Sequence, residues 1–198
     1  MNHLNTRLYP TLVAALAVAT ALPALANIPT GELLHFDIAE DGTRFVFDEE
    51  HRFEDGLPAY GNVFTTQGYI YPRGLLTCTD EGCNGVLEDG SPEFPEQVLG
   101  EWTCWGTHVG DGARTLTGPW VITNQQFDLG QRFGDQTVLT NGYELVDIDV
   151  PVKRAIQGGT GRFTGAEGQQ QQTLLGFNPS DGVALRVVLS VQEDAARN

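Results

Sequence analysis

Basic residues are scarce in this chain, and the shortage excludes several classes of protein. Eleven Lys and Arg residues stand against 26 Asp and Glu residues in 198 positions, which gives a formal net charge of −15. Nucleic-acid binding needs clustered basic side chains, so the composition excludes a general nucleic-acid partner. The same acidity argues against docking on anionic membranes. Lys153 is the single lysine, which leaves one candidate for Schiff-base chemistry.

Long apolar runs are also scarce, and the one near the start predicts a secretory signal peptide at residues 1–26. A polar start with Arg7 leads into the apolar stretch 8–22, and the small-x-small sequence Ala-Leu-Ala ends at Ala26. A membrane anchor is the alternative, but a spanning helix needs ~18–20 apolar residues. Cleavage leaves 172 residues with 10 basic and 26 acidic groups, a net charge of −16. We therefore expect residues 27–198 to form one exported domain, periplasmic or extracellular, with no membrane contact after cleavage.

Cysteine occurs three times, and its spacing suggests one disulfide. Cys78 and Cys83 lie in a short polar loop, whereas Cys104 lies in an apolar, aromatic run. Export places these residues in an oxidising compartment. We predict a Cys78–Cys83 disulfide with Cys104 free, although three pairings are possible. A zinc site is the alternative, but no histidine and no second cysteine pair lie nearby.

Alternation of apolar and polar residues extends along the mature chain, and no helical pattern competes with it. The segments that read as strands are 31–38, 43–48, 62–71, 97–109, 119–129, 137–148, 152–157, 168–177 and 183–191. The Asp41-Gly42 pair predicts a hairpin between the first two. Closing a sheet removes its exposed edges, so we predict an all-β barrel whose mouth can hold one ligand. The long segment 80–96 is either a functional lid or a solvated connector.

A glycine-rich stretch then carries a resemblance to a known family. Residues 158–168 (GGTGRFTGAEG) resemble the GGTGRF-x-GA-x-G signature of the allene oxide cyclase and dirigent barrels. The glycines permit a tight reversal, after which Phe163 and Ala166 can pack inward. A phosphate-binding loop would instead need a helix after the glycines, and a Gln-rich strand follows.

The resemblance implies an eight-stranded antiparallel β-barrel with a hydrophobic lumen. Such barrels mould a reactive small molecule so that it cyclises or couples in one geometry. They use no metal and no organic cofactor, and they are usually oligomeric, so a homo-oligomer is expected. The catalytic residues of the better-known members have no matching positions here, and none is transferred.

Carboxylates predicted within strands are the candidate catalytic groups: Glu101, Asp128, Glu144 and Asp147. A carboxylic acid inside an apolar barrel has a raised pKa and can exchange a proton near neutral pH. Glu144 is our first choice, with Tyr71 as a hydroxyl donor. The predicted ligand contacts are Tyr69, Trp102, Cys104, His108 and Tyr143. The alternative is that the acids face solvent on alternate strand positions.

Two functions remain at this stage. One is a cofactor-independent cyclase, isomerase or dirigent-like protein that orients an apolar, oxygen-bearing substrate. The other is a non-catalytic exported carrier or a structural barrel. An open cavity with one or two buried acids favours the first, a purely apolar cavity favours carriage, and a solid interior leaves a structural role.

Overall fold

The computed structural model describes residues 32–192, and the predicted signal peptide lies outside that range. The strands of the described part are β1 Glu32–Phe47, β2 Val63–Pro72, β3 Cys78–Thr79, β4 Gly82–Cys83, β5 Gly100–His108, β6 Pro119–Asp128, β7 Thr137–Leu145, β8 Pro151–Gly159, β9 Glu167–Phe177 and β10 Val183–Gln192. None of the helical segments between 32 and 192 has the length and apolar character needed to cross a membrane.

Eight of these strands close into a barrel in the order β1-β10-β9-β8-β7-β6-β5-β2, and every neighbouring pair is antiparallel. The all-β, eight-stranded antiparallel prediction is therefore confirmed. Because side chains alternate between the two faces of a strand, every second residue points into the lumen. On β10 the inward set is Val183, Leu185, Val187, Leu189 and Val191, all of them buried.

The predicted hairpin at Asp41-Gly42 is wrong, because β1 passes through both residues as one long strand. Its pairing with β2 shifts register between Asp41 and Val46. Gly42 serves close packing here, since a Cβ on it would lie 2.0 Å from the carbonyl oxygen of Ser180. The Gly42 N–H also donates to Ser180 Oγ at 2.9 Å. An Asp-Gly pair that normally marks a turn thus lets the β9–β10 loop approach β1.

The glycine-rich stretch 158–168 seals one end of the barrel, which we call the closed end. Gly159 ends β8, and a Cβ on it would lie 2.0 Å from the carbonyl oxygen of Thr137, so only glycine allows β7 and β8 to approach this closely. Phe163 and Ala166 are buried in the main apolar cluster, as expected. Phe36 and Phe127 pack in the same cluster with ring centroids 5.2 Å apart.

The connector of residues 73–99 between β2 and β5 packs on the outside of the barrel. It holds the β3–β4 hairpin and the Cys78–Cys83 disulfide, which confirms that pairing and leaves Cys104 as a free, buried thiol. Together with outward-facing strand residues the connector forms a second apolar cluster: Ala39, Tyr71, Leu76, Cys83, Val86 and Ala184. Segment 80–96 is therefore a connector that packs on the barrel wall through buried residues such as Cys83 and Val86, while residues 80, 81 and 87–89 are exposed to solvent.

Candidate functional site

A cavity of about 260 Å³ occupies the end of the barrel opposite the closed end. Its walls are largely apolar and aromatic, and the loops after β1, β5 and β9 each contribute a lining residue: Pro58, Ala113 and Asp181. A cavity of ~150 Å³ is enough to hold benzene. The space therefore suits a molecule of one substituted ring or two fused rings.

Glu40 on β1 is the acid that the sequence analysis missed. Its side chain is buried, lines the cavity, and accepts the backbone N–H of Val183 at Oε2 over 2.7 Å. Burial raises the pKa of Glu40 to about 7, and the charges of Glu144 and Asp41 act in the same direction. At neutral pH this carboxyl is thus divided between its acid and its base form.

The sequence does contain a signal for Glu40. Phe36 and Ile38 are buried lumen residues, and Glu40 continues the same alternation two positions later. Reading the Asp41-Gly42 pair as a turn ended the strand too early and hid the acid.

Glu144 on β7 is buried and lines the same cavity, but its carboxylate is already occupied by four donors. Oε1 accepts the hydroxyl of Thr123 at 2.5 Å, the amide of Gln125 at 3.0 Å and the thiol of Cys104 at 3.5 Å. Oε2 accepts the amide of Gln172 at 2.9 Å. A carboxylate that accepts hydrogen bonds from donors on several strands is held in one orientation as an acceptor.

Arg154 on β8 supplies the opposite charge. Its buried guanidinium lies 3.6 Å from Oε1 of Glu144. It donates to the carbonyl oxygens of Gly142, Tyr143 and Thr123 and to the hydroxyl of Thr123, at 2.8–3.2 Å. Burial lowers the pKa of Arg154, and the charge of Glu144 opposes that effect. The pair therefore puts one positive and one negative charge into the interior.

Three of the predicted ligand contacts share this interior. Trp102, Cys104 and His108 all point inward from β5, and Trp102 and His108 line the cavity. His108 packs against Phe64 with ring centroids 5.1 Å apart, and burial lowers its pKa. Burial raises the pKa of the Cys104 thiol well above its usual range, so it acts as a neutral donor to Glu144.

The three predicted tyrosines lie on the outer face, which corrects the sequence analysis. Tyr143 is 49% exposed. The hydroxyls of Tyr69 and Tyr71 donate to carbonyl oxygens of the connector, Gly90 at 3.0 Å and Gly85 at 2.8 Å. Burial raises the pKa of Tyr71 to about 12. Tyr71 therefore does not act with Glu144, since the barrel wall separates the two.

The remaining strand acids also lie away from the cavity. Glu101 is partly exposed and bonded by Gln67, while Asp128 accepts backbone N–H groups of the β6–β7 loop. Asp147 follows β7 and accepts from Thr117 at 2.7 Å. Across residues 32–192 no group of three or more His, Cys, Asp or Glu side chains is arranged to hold a metal ion.

Comparison with known proteins identifies the architecture. No protein-family profile matches the chain, and no curated protein does. Among solved structures it is similar to the pterocarpan synthase dirigent protein PsPTS1, with a TM-score of 0.55 and 16% identity over 82% of this chain and 94% of that one. A second pterocarpan synthase dirigent protein, GePTS1, is similar with a TM-score of 0.52 and 16% identity over 89% of this chain and 98% of that one. Pyocyanin demethylase is similar with a TM-score of 0.50 and 10% identity over 81% of this chain and 100% of that one. These likenesses establish a dirigent-like barrel fold.

Proposed function

We propose that this protein binds an apolar, oxygen-bearing small molecule in the cavity and promotes a cofactor-independent proton transfer on it, as a cyclase, isomerase or dirigent-like protein. One observation carries the proposal: Glu40, whose pKa is raised to about 7, lines a cavity with aromatic walls. General acid–base catalysis is most efficient when the pKa of the catalytic group lies near the working pH.

In this mechanism Glu40 gives a proton to an oxygen or carbon of the bound molecule and takes one back later. Its one firm hydrogen bond, from the N–H of Val183 to Oε2, leaves the other oxygen available to the ligand. The hydroxyl of Thr66 lies beside the carboxyl without a hydrogen bond of good geometry. Glu144 then has an indirect part, because its charge helps to keep Glu40 protonated.

The fold comparison supports the proposal at a coarse level. Two structural neighbours are named as pterocarpan synthase dirigent proteins and a third as pyocyanin demethylase, and these names indicate activity on small organic molecules. Export remains part of the proposal as well. The Cys78–Cys83 disulfide is consistent with an oxidising compartment.

The proposal can be tested on the exported protein from its native host. Small molecules that co-purify are extracted, identified by mass spectrometry and returned to fresh protein in deuterated water. We expect an isomer of the returned molecule in which deuterium replaces hydrogen at one position. Glu40→Gln should abolish deuterium uptake, whereas Glu167→Gln, at an exposed position of β9, should not change it. A ligand recovered unchanged and without deuterium would instead identify a carrier.

A further inference from the structure

The tryptophans of the cavity wall present apolar surface to a ligand. Trp102 and Trp120 both line the cavity, but the indole nitrogen of each is buried without accessible surface. A molecule in the cavity therefore meets the carbon atoms of these rings and not their N–H groups.

His108 presents a hydrogen-bond acceptor to the cavity. Its Nδ1 lies 3.3 Å from the carbonyl oxygen of Asn62. A carbonyl oxygen only accepts, so Nδ1 carries the proton. Burial lowers the pKa of His108 and keeps the ring neutral at neutral pH. Nε2 is then a lone-pair acceptor at the cavity wall, and within residues 32–192 no hydrogen-bond partner occupies it.

The charges around the cavity restrict the ligand further. Among the described residues that line it, none is lysine or arginine, whereas Glu40, Glu144 and Asp181 carry carboxyl groups. An anionic ligand would meet like charges without a counter-ion. Glu144 is balanced by Arg154, which removes the strongest attraction for a cation.

We propose that the cavity selects a neutral, ring-sized molecule that donates a hydrogen bond to Nε2 of His108. His108 is then a specificity-determining residue, because it distinguishes a free hydroxyl or N–H from its alkylated form. This inference rests on the proposed function, since it names the ligand class of the same cavity.

The test uses a matched set of one-ring probes and isothermal titration calorimetry at pH 7. 4-Hydroxyacetophenone carries a hydroxyl donor. 4-Methoxyacetophenone lacks the donor, 4-hydroxybenzoate adds a negative charge and 4-hydroxybenzylamine a positive one. We expect the first probe to bind about tenfold more tightly than each of the others, because loss of the donor leaves Nε2 of His108 unpaired and an added charge is unbalanced in the cavity.

A variant assigns the hydroxyl preference to His108. His108→Phe keeps the aromatic contact with Phe64, and the carbonyl of Asn62 keeps the backbone N–H of residue 108 at 2.9 Å, so the fold is retained. It should remove the preference for hydroxyl over methoxy and leave the discrimination against the charged probes. Trp105→Phe, on the outer face, should change neither.

Three results would overturn the inference: an unchanged hydroxyl preference in His108→Phe, tightest binding of the charged probes, or no binding of any probe to the wild-type protein. The last two leave the proposed function standing if the deuterium experiment succeeds. If only the deuterium experiment fails, the proposed proton transfer is refuted and the inferred ligand class is kept.

Discussion

Replacing Glu40 with glutamine should stabilise the protein at high pH and leave it unchanged at low pH. A glutamate ordinarily titrates near 4.5, and burial raises the pKa of Glu40 to about 7. Each pKa unit is worth about 1.4 kcal/mol, so ionising Glu40 in the folded protein costs about 3 kcal/mol more than ionising it in the unfolded chain. Between these two values the native state keeps a proton that the unfolded state releases. The free energy of unfolding therefore falls as the pH rises through this window.

Glutamine has the same shape, cannot ionise, and can still accept the N–H of Val183. Urea unfolding of the wild type and of Glu40→Gln should give equal stabilities near pH 4. Above pH 8 the variant should be more stable by about 3 kcal/mol. Glu167→Gln on the exposed side of β9 controls for loss of a surface charge and should give a pH-independent difference. A difference for Glu40→Gln that is constant from pH 4 to pH 9 would refute the burial argument.

Three further predictions concern the polar interior and the closed end. Arg154→Met should lower the free energy of unfolding by about 3–5 kcal/mol by urea denaturation, because Glu144 then lacks its counter-charge; the double variant with Glu144→Gln should recover part of the loss, and additive effects would contradict the pairing. Gly159→Ala should destabilise by about 1–3 kcal/mol, since its Cβ would overlap the carbonyl oxygen of Thr137, while Thr164→Ala at an exposed position should cost less than half as much in the same thermal unfolding assay. Cys104 should react with a thiol reagent at least ~100-fold faster in denaturant than in the native protein, because its thiol is buried and its pKa is raised; equal rates would show that the interior is open to solvent.

The barrel could be predicted from the sequence because most of its strands alternate cleanly between two environments. Val183–Val191 shows this best, with an unbroken inward apolar face on β10. The hairpin predicted at Asp41-Gly42 was wrong because an Asp-Gly pair reports only on local turn preference. The contact that decides it, with Ser180, joins residues 138 positions apart.

The assignment of faces was harder than the assignment of strands. On β2 both faces carry packed residues: the inner face packs in the lumen and the outer face packs under the connector. Tyr69 and Tyr71 were therefore predicted to lie inside the barrel, whereas they pack between the barrel wall and the connector. Glu144 was singled out as an acid on a strand and is buried. Its four donors come from β5, β6 and β9, whose register the sequence does not reveal.

The closed end also has a consequence for molecular traffic. Within residues 32–192, Phe163 and the cluster around it fill that half of the lumen, so the route into the cavity lies at the opposite end. That route passes the loops after β1, β5 and β9, which place Pro58, Ala113 and Asp181 at the rim. On the proposed function, residues at the rim would govern how fast a ligand exchanges, while the residues deeper in the barrel would govern which molecule stays. Exchange rate and selectivity could then change independently in this barrel.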